Sequence, residues 1–389
     1  MPEALAAGLG APEDLAGLAA TVRAAAGRGV ALRVRGAGSW WPDGDAGSVL
    51  STQHLDTISE FNPADLVVTV GAGVPLDTLG AALRSRGAFL ALDPPGHPSR
   101  TVGGVLATGG SGPLAALYGT ARDQVLGLVV VAGNGTVVRL GGRVVKNVAG
   151  FDLAKLVIGG HGAFGVIAEA HLRLRAIPAA DRTVGWSGSA DWAARAAAAV
   201  LGSGAAPAAL EVVSPGLSAA LGAGREWMLA ARSMGGPAAV DEELSLVERA
   251  AAGRPAGGGI AADGDAPWAA WRRAVGDWPV LLRIGADPAA WAEALALARR
   301  HLGDALGASV TVPRGTVRVG AARCGADAVR ELRDAAAARG WPVTLERADA
   351  ATRAAAGIWG ALPEGAERLA RELRARFDPN GTLAAPLFT

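Results

Sequence analysis

Cysteine, lysine and tyrosine are almost missing from this chain of 389 residues: Cys324, Lys146, Lys155 and Tyr118 are the only members of their kinds. A single cysteine allows no internal disulfide and cannot supply the four thiolates that an iron-sulfur cluster normally takes, so any cluster serving this protein has to sit on another chain. Blocks of like charge are also absent. Charged residues make up 19% of the chain and the formal net charge is +1, which excludes the basic footprint of a nucleic-acid-binding protein. The mean hydropathy of +0.27 comes largely from alanine, and apolar runs such as Val125–Ala132 fall far short of the ~20 residues that a membrane-spanning helix needs. The start, Met1-Pro2-Glu3-Ala4, has neither a basic segment nor an apolar signal core, so the expected location is the cytoplasm. The length is that of two or three domains of about 150 residues.

Glycine, by contrast, is plentiful and unevenly placed. Eight glycines fall between Pro94 and Gly127, in Thr101-Val102-Gly103-Gly104, Gly109-Gly110-Ser111-Gly112, Tyr118-Gly119 and their neighbours. Glycine costs a folded chain entropy, so a stretch this bare is expected where something flat and large approaches the backbone closely. Upstream, Ala31–Arg35 alternates like a strand and runs into Gly36-Ala37-Gly38-Ser39, a turn whose successive amides can cradle a pyrophosphate. It lacks the third glycine and the following helix of a nicotinamide-binding fingerprint, because Trp40-Trp41-Pro42 comes next.

Hydrophobic spacing organises the rest. Leu15, Leu18 and Val22 predict a helix over 12–26, ended by Gly27 and Gly29, and Leu76, Leu79 and Leu83 predict another that runs to Arg86. The runs 128–131 and 137–140 read as a hairpin about Asn134-Gly135, and 165–174 reads as a strand. After Pro178 the texture changes: nine of the eleven tryptophans lie beyond it, and alanine-rich helices (190–201, 240–252, 288–302, 326–339) alternate with short strands at 280–284 and 310–312. A last helix, 369–377, is broken by Asp378-Pro379-Asn380-Gly381.

The order of the glycine motifs resembles the FAD-binding oxidases of the vanillyl-alcohol oxidase or p-cresol methylhydroxylase type. The residues that carry this are Arg35–Ser39, Val70–Leu76, Thr101–Gly104, Ser111–Pro113, Tyr118–Asp123, Gly142–Leu153 and Gly162–Ile167. Within that superfamily the Ser111-Gly112-Pro113 and Gly142–Gly150 blocks are most similar to the FAD-binding subunit of bacterial glycolate oxidase. The resemblance implies an α+β chain: a two-subdomain FAD-binding fold over 1–178, an α+β cap domain over 179–365, and a C-terminal segment, 366–389, that returns to the FAD-binding domain. At the C-terminal contact Leu383-Ala384-Ala385-Pro386 stands where the family has Asn-Pro-Gly.

The resemblance also implies a site. Gly36, Ala37, Gly38 and Ser39 would hold the pyrophosphate of FAD with Gly103, Gly104, Ser111 and Gly112, while Thr101, Tyr118, Asp123 and Gly165-Val166-Ile167 would line the ring and adenine ends. Tyr118 equally reads as a core aromatic, and Asp123 as half of an ion pair with Arg122. Lys146 could stabilise a reduced, anionic flavin or be a solvated turn residue before a helix that Asp152 caps. Where some relatives carry a flavin-linking histidine this chain has Ser39-Trp40-Trp41, so the FAD is expected to be noncovalent. No metal site is expected, because His54, His97, His161, His171 and His301 show no ligand spacing. His97 and His161 lie beside flavin-site blocks, and His301 follows Arg299-Arg300 as a helix end. Without a histidine cluster to take the alcohol proton, the chain reads as a subunit that relays electrons or supports a larger catalytic flavin subunit, with an iron-sulfur subunit beside them. A self-sufficient 2-hydroxy acid dehydrogenase and a noncatalytic scaffold that has lost FAD are the alternatives.

Overall fold

Leucine and valine at helical spacing build the first element: Leu18, Val22 and Ala25 form the buried stripe of the helix Leu15–Arg28. Asp14 caps it by accepting from Gly17 N, and Gly29 ends it in the left-handed conformation. In the computed structural model, which describes residues 10–41, 48–62, 64–143, 152–251, 253, 259–303, 307–362 and 364–384, this helix packs on a five-stranded antiparallel sheet. The strand order is Ile58–Asn62, Val67–Gly71, Val166–Arg173, Val125–Val131, Val137–Gly141. Strand alternation puts Val131 and Val166 against the first helix, while Val130 and Ile167 face the core shared with Leu79, Leu83 and Leu106. The hairpin forms with Val131 opposite Val137, and the helix predicted to reach Arg86 ends at Arg84.

Two local readings change. The glycine pair after Thr101 is not bare loop: Val102–Thr108 is a helix, with Thr101 Oγ1 accepting from Gly104 N at 3.3 Å. Gly103 is required there because a Cβ would stand 2.6 Å from the Ala72 Cβ on the neighbouring segment. The short helix Ala154–Val157 has Leu153 rather than Asp152 at its cap, and Asp152 instead lies 3.7 Å from Lys155.

The largest sheet is eight-stranded and antiparallel, in the order Gly259–Asp263, Ala180–Gly188, Trp227–Gly235, Ala209–Val213, Gly307–Thr311, Thr316–Ala321, Val280–Gly285, Val343–Arg347. Period-two alternation gives it two unlike faces. Leu210, Val212, Val280, Leu282, Val317 and Val319 are buried among the helices Ala190–Gly202, Pro237–Ala250, Trp291–Leu302 and Ala326–Ala337. The alternate positions carry polar Glu211, Ser309, Arg318, Arg283 and Glu346 beside apolar Ala209, Val213 and Leu281. This polar face meets the glycine-rich segment: Arg318 Nη2 donates to Ser111 O at 2.6 Å and Trp41 Nε1 donates to Glu346 O at 3.1 Å. A helix that the spacing did not reveal, Ala266–Gly276, packs Trp268, Trp271 and Val275 onto the sheet through a second apolar cluster. Gly96 N donates to Arg272 O of that helix at 2.8 Å. The chain end returns to the first sheet region, where Leu32 N donates to Thr382 O at 2.7 Å and Ala384 N to Leu32 O at 2.9 Å.

Gly276 and Gly96 meet backbone on backbone. A Cβ on Gly276 would overlap the Gly96 main chain, so Gly276→Ala is expected to push the helix off this loop and lower stability by about 1–3 kcal/mol. Thermal melts check this; an unchanged melting temperature would show that the helix end can shift freely.

Candidate functional site

A cleft of about 410 Å³ is lined mainly by segments 32–41, 100–108 and 157–167, with 353–354 and 383–384. Its floor is the strand Leu32–Arg35, which pairs in parallel with Ser48–Ser51 and so aims the turn Gly36–Ser39 at the helix Val102–Thr108. Gly38 turns the chain with φ 68°, and Gly36 lies so close to Thr101 that a Cβ would overlap its hydroxyl. Gly165, Val166, Ile167, Leu383, Ala384, Trp41 and Arg353 also line the cleft. Val34, 36% exposed, leaves an apolar patch of this floor uncovered.

Of the residues singled out from the sequence, Gly36, Ala37, Gly38, Ser39, Thr101, Gly103, Gly104, Gly165, Val166 and Ile167 come together around this cleft. Ser111, Gly112, Tyr118 and Asp123 do not line it. Ser111 Oγ accepts from Ala121 N at 3.0 Å, and Gly112 is pressed against the Asp93 main chain. Tyr118 packs edge-on to Phe89 at 5.9 Å, with Arg175 over its ring at 5.5 Å. Asp123 does not pair with Arg122: it accepts from Thr120 N at 2.7 Å and Thr120 Oγ1 at 2.9 Å in a capping box, while Arg122 donates to Ile158 O. Lys146 lies outside the described residues. His301 sits in the last helical turn, 3.6 Å from Glu331, and His97 pairs with Ser99 at 2.7 Å.

Four arginines, Arg33, Arg35, Arg100 and Arg353, line the cleft, and among the described lining residues there is no carboxylate. Sequence reasoning missed this. Arg33 and Arg35 could have been found from the strand that feeds the turn, and Arg100 from its place before Thr101-Val102-Gly103-Gly104; Arg353 carries no local signal. An aromatic group was missed too: Trp41 stacks on His161 at 5.1 Å, Trp359 meets His161 edge-on at 4.7 Å, and Arg353 lies over Trp41 at 5.1 Å. Burial pushes the His161 imidazole down to about 3, with the Glu346 charge pulling the other way, so it is neutral at any physiological pH.

Charge is concentrated where the polar sheet face covers the glycine-rich segment. Burial pushes Glu211 up to about 7, against the hydrogen bond of Ser309 and the charge of Arg318. Burial likewise pushes Asp93 up to about 6, against Arg272, the Leu114 amide and Arg232. Glu346 goes the other way: burial would raise its carboxyl, but Arg318 and Arg283 outweigh it and hold it below the usual range. Among the described residues no three histidine, cysteine or acidic side chains are grouped to hold a metal ion, and no helix is long and apolar enough to cross a membrane.

Residues 6–141 match the family described as FAD binding domain. Over 136 residues, 35% of this chain and 39% of the relative, the sequence is 39% identical to glycolate oxidase subunit GlcE of Escherichia coli. Over 140 residues, 36% of this chain and 30% of the relative, it is 36% identical to glycolate oxidase subunit GlcD of Bacillus subtilis. The chain thus matches less than two fifths of the length of either relative. In three dimensions it is similar to 4-ethylphenol oxidase from Gulosibacter chungangensis in its isoeugenol complex, with TM-score 0.73 and 18% identity, over 96% of this chain and 87% of that one.

Proposed function

Taking as premise that this chain carries an FAD-binding domain within a fold of the vanillyl-alcohol oxidase type, we propose that it is the FAD-binding subunit of a complex that oxidises glycolate or another 2-hydroxy acid. In this reading residues 1–178 and 366–389 hold the cofactor, 179–365 are the cap, and a larger flavin subunit and an iron-sulfur subunit are the partners. The similarity to two proteins named as glycolate oxidase subunits supports this.

The cleft suits FAD. The Gly36–Ser39 turn offers main-chain donors, Arg33 and Arg35 offer charge for two phosphates, and the uncovered Val34 offers an apolar floor. At Gly104 a Cβ would meet only Thr101 Oγ1, at 3.2 Å, so the cleft side of this helix is open to a ligand. Gly165, Val166, Ile167, Leu383 and Ala384 would enclose the other side of the cofactor. Bound there, FAD would supply a ring that accepts two electrons together and passes them on singly.

The observation that carries the subunit reading is the lining itself. Arginines hold anions but do not take protons, and the single titratable base in the described lining, His161, is held far below its ordinary range. Removal of a hydroxyl proton is therefore left to a partner subunit, and this chain orients FAD and excludes water beneath Trp41, Trp359 and the cap. The isolated chain is expected to be yellow, to release its colour on acid precipitation, and to bleach little with glycolate under anaerobic conditions. Bleaching at the rate of turnover would favour a self-sufficient dehydrogenase, and a colourless protein that takes up no added FAD would favour the scaffold.

A further inference from the structure

Arg100 lines the cleft and is only 3% exposed. Its guanidinium lies 3.9 Å from the centre of the Trp40 ring, donates to Pro95 O, and donates to Thr108 Oγ1 at 3.1 Å. Two glycines seat it: a Cβ on Gly96 would stand 2.8 Å from Arg100 Cδ and 3.1 Å from the Trp40 ring, and one on Gly110 would stand 3.4 Å from Arg100 Nη2. The seat is rigid and polar, yet none of these partners carries a negative charge.

The acid whose charge acts on Arg100 is Glu346, and it is already engaged. Arg283 holds it at 2.7 Å and Arg318 approaches it at 3.5 Å, and these two arginines face each other across paired strands. Two buried arginines, Arg100 and Arg318, and the partly exposed Arg283 share one carboxylate, which leaves positive charge in excess. Buried charge is costly unless it is compensated, so negative charge added beside Arg100 is favoured. Burial pushes Arg100 down to about 9 while Glu346 pulls it back, so the guanidinium is still charged at neutral pH.

We propose that Arg100 faces the reducible ring of FAD at the cap end of the cleft and favours the reduced, negatively charged ring over the oxidised, neutral one. The inference rests on the FAD reading of the cleft. Uptake of two electrons and one proton gives the ring one negative charge, and a preorganised cation in a water-poor site stabilises charge where it develops. Arg100 thereby raises the midpoint potential, which suits a chain that receives electrons from a partner.

The test is a dithionite titration of the full-length, FAD-loaded chain against a reference dye, with FAD affinity measured separately by fluorescence. In Arg100→Gln, affinity for oxidised FAD is expected to change little. The preference for the reduced form is expected to fall about tenfold, which is ~30 mV towards negative potential for a two-electron couple. Arg100→Lys should restore most of that shift. An unchanged potential in FAD-loaded Arg100→Gln, or a lysine variant that behaves like the glutamine one, would reduce Arg100 to a packing residue. Should the glutamine variant not fold, Thr108→Ala, which only loosens the guanidinium, is expected to shift the potential in the same direction, and no shift would overturn the proposal. A wild-type chain that takes up no FAD would instead remove the reading of the cleft on which all of this stands.

Discussion

Gly104→Asp is expected to fold normally and to lose FAD. The added Cβ meets only Thr101 Oγ1, at 3.2 Å, and an acidic residue three places into a helix is favourable in its own right. The carboxylate would then stand in a cleft prepared for an anion. There it would oppose the anionic cofactor and occupy the arginines meant for it, a loss expected to be about 3 kcal/mol, or roughly a hundredfold in FAD affinity. Gly104→Ala is the control: it adds the same Cβ without the charge, and in a helix alanine is more stable than glycine by about 1 kcal/mol. Fluorescence titration with FAD separates the two variants. A Gly104→Asp protein that keeps its yellow colour would move the cofactor elsewhere.

The second large effect concerns pH. Glu211 is fully buried and accepts from Ser309 Oγ at 2.5 Å, and burial pushes its carboxyl from the ordinary 4.5 up to about 7. The folded chain therefore binds this proton more tightly than the unfolded chain does. Stability from this group is fully present below pH 4.5 and is lost as the pH rises through about 7. The loss is on the order of 3 kcal/mol. Asp93 acts in the same sense between 3.8 and about 6. Glu211→Gln keeps an acceptor for Ser309 and carries no charge, so its melting temperature should exceed that of the wild type at about pH 8 and depend less on pH between about 5 and 8. Parallel melting curves for the two proteins across that range would sink the idea.

Much of the fold was legible because local spacing and tertiary environment agree. Leu18 and Val22 fall on the buried stripe of their helix, and the 128–140 hairpin pairs where Asn134-Gly135 turns. The glycine-rich stretch was harder. Of its eight glycines only Gly103 and Gly104 line the cleft, whereas Gly96 makes room for Arg100 and Trp40, Gly112 for Asp93 and Gly109 for Gly159. Bareness of the main chain marks close approach, but it does not say whether a cofactor or another part of the chain approaches. Tyr118 and Asp123 show the same ambiguity: both sit inside a recognisable motif, and Tyr118 packs on Phe89 while Asp123 completes a capping box.

By itself the sequence settled what is periodic or excluded. These are the helices and strands whose apolar residues repeat, the want of cysteine ligands for a cluster, and the Gly36–Ser39 turn at the end of its strand, because each depends on residues close together along the chain. Only the tertiary structure decided which charges meet. Arg33, Arg100 and Arg353 reach one cleft from three distant segments, and Glu346 gathers Arg283 and Arg318 on the inner sheet face. The electrostatic character of a buried site is a sum over neighbours in space, and no spacing along the chain carries that sum.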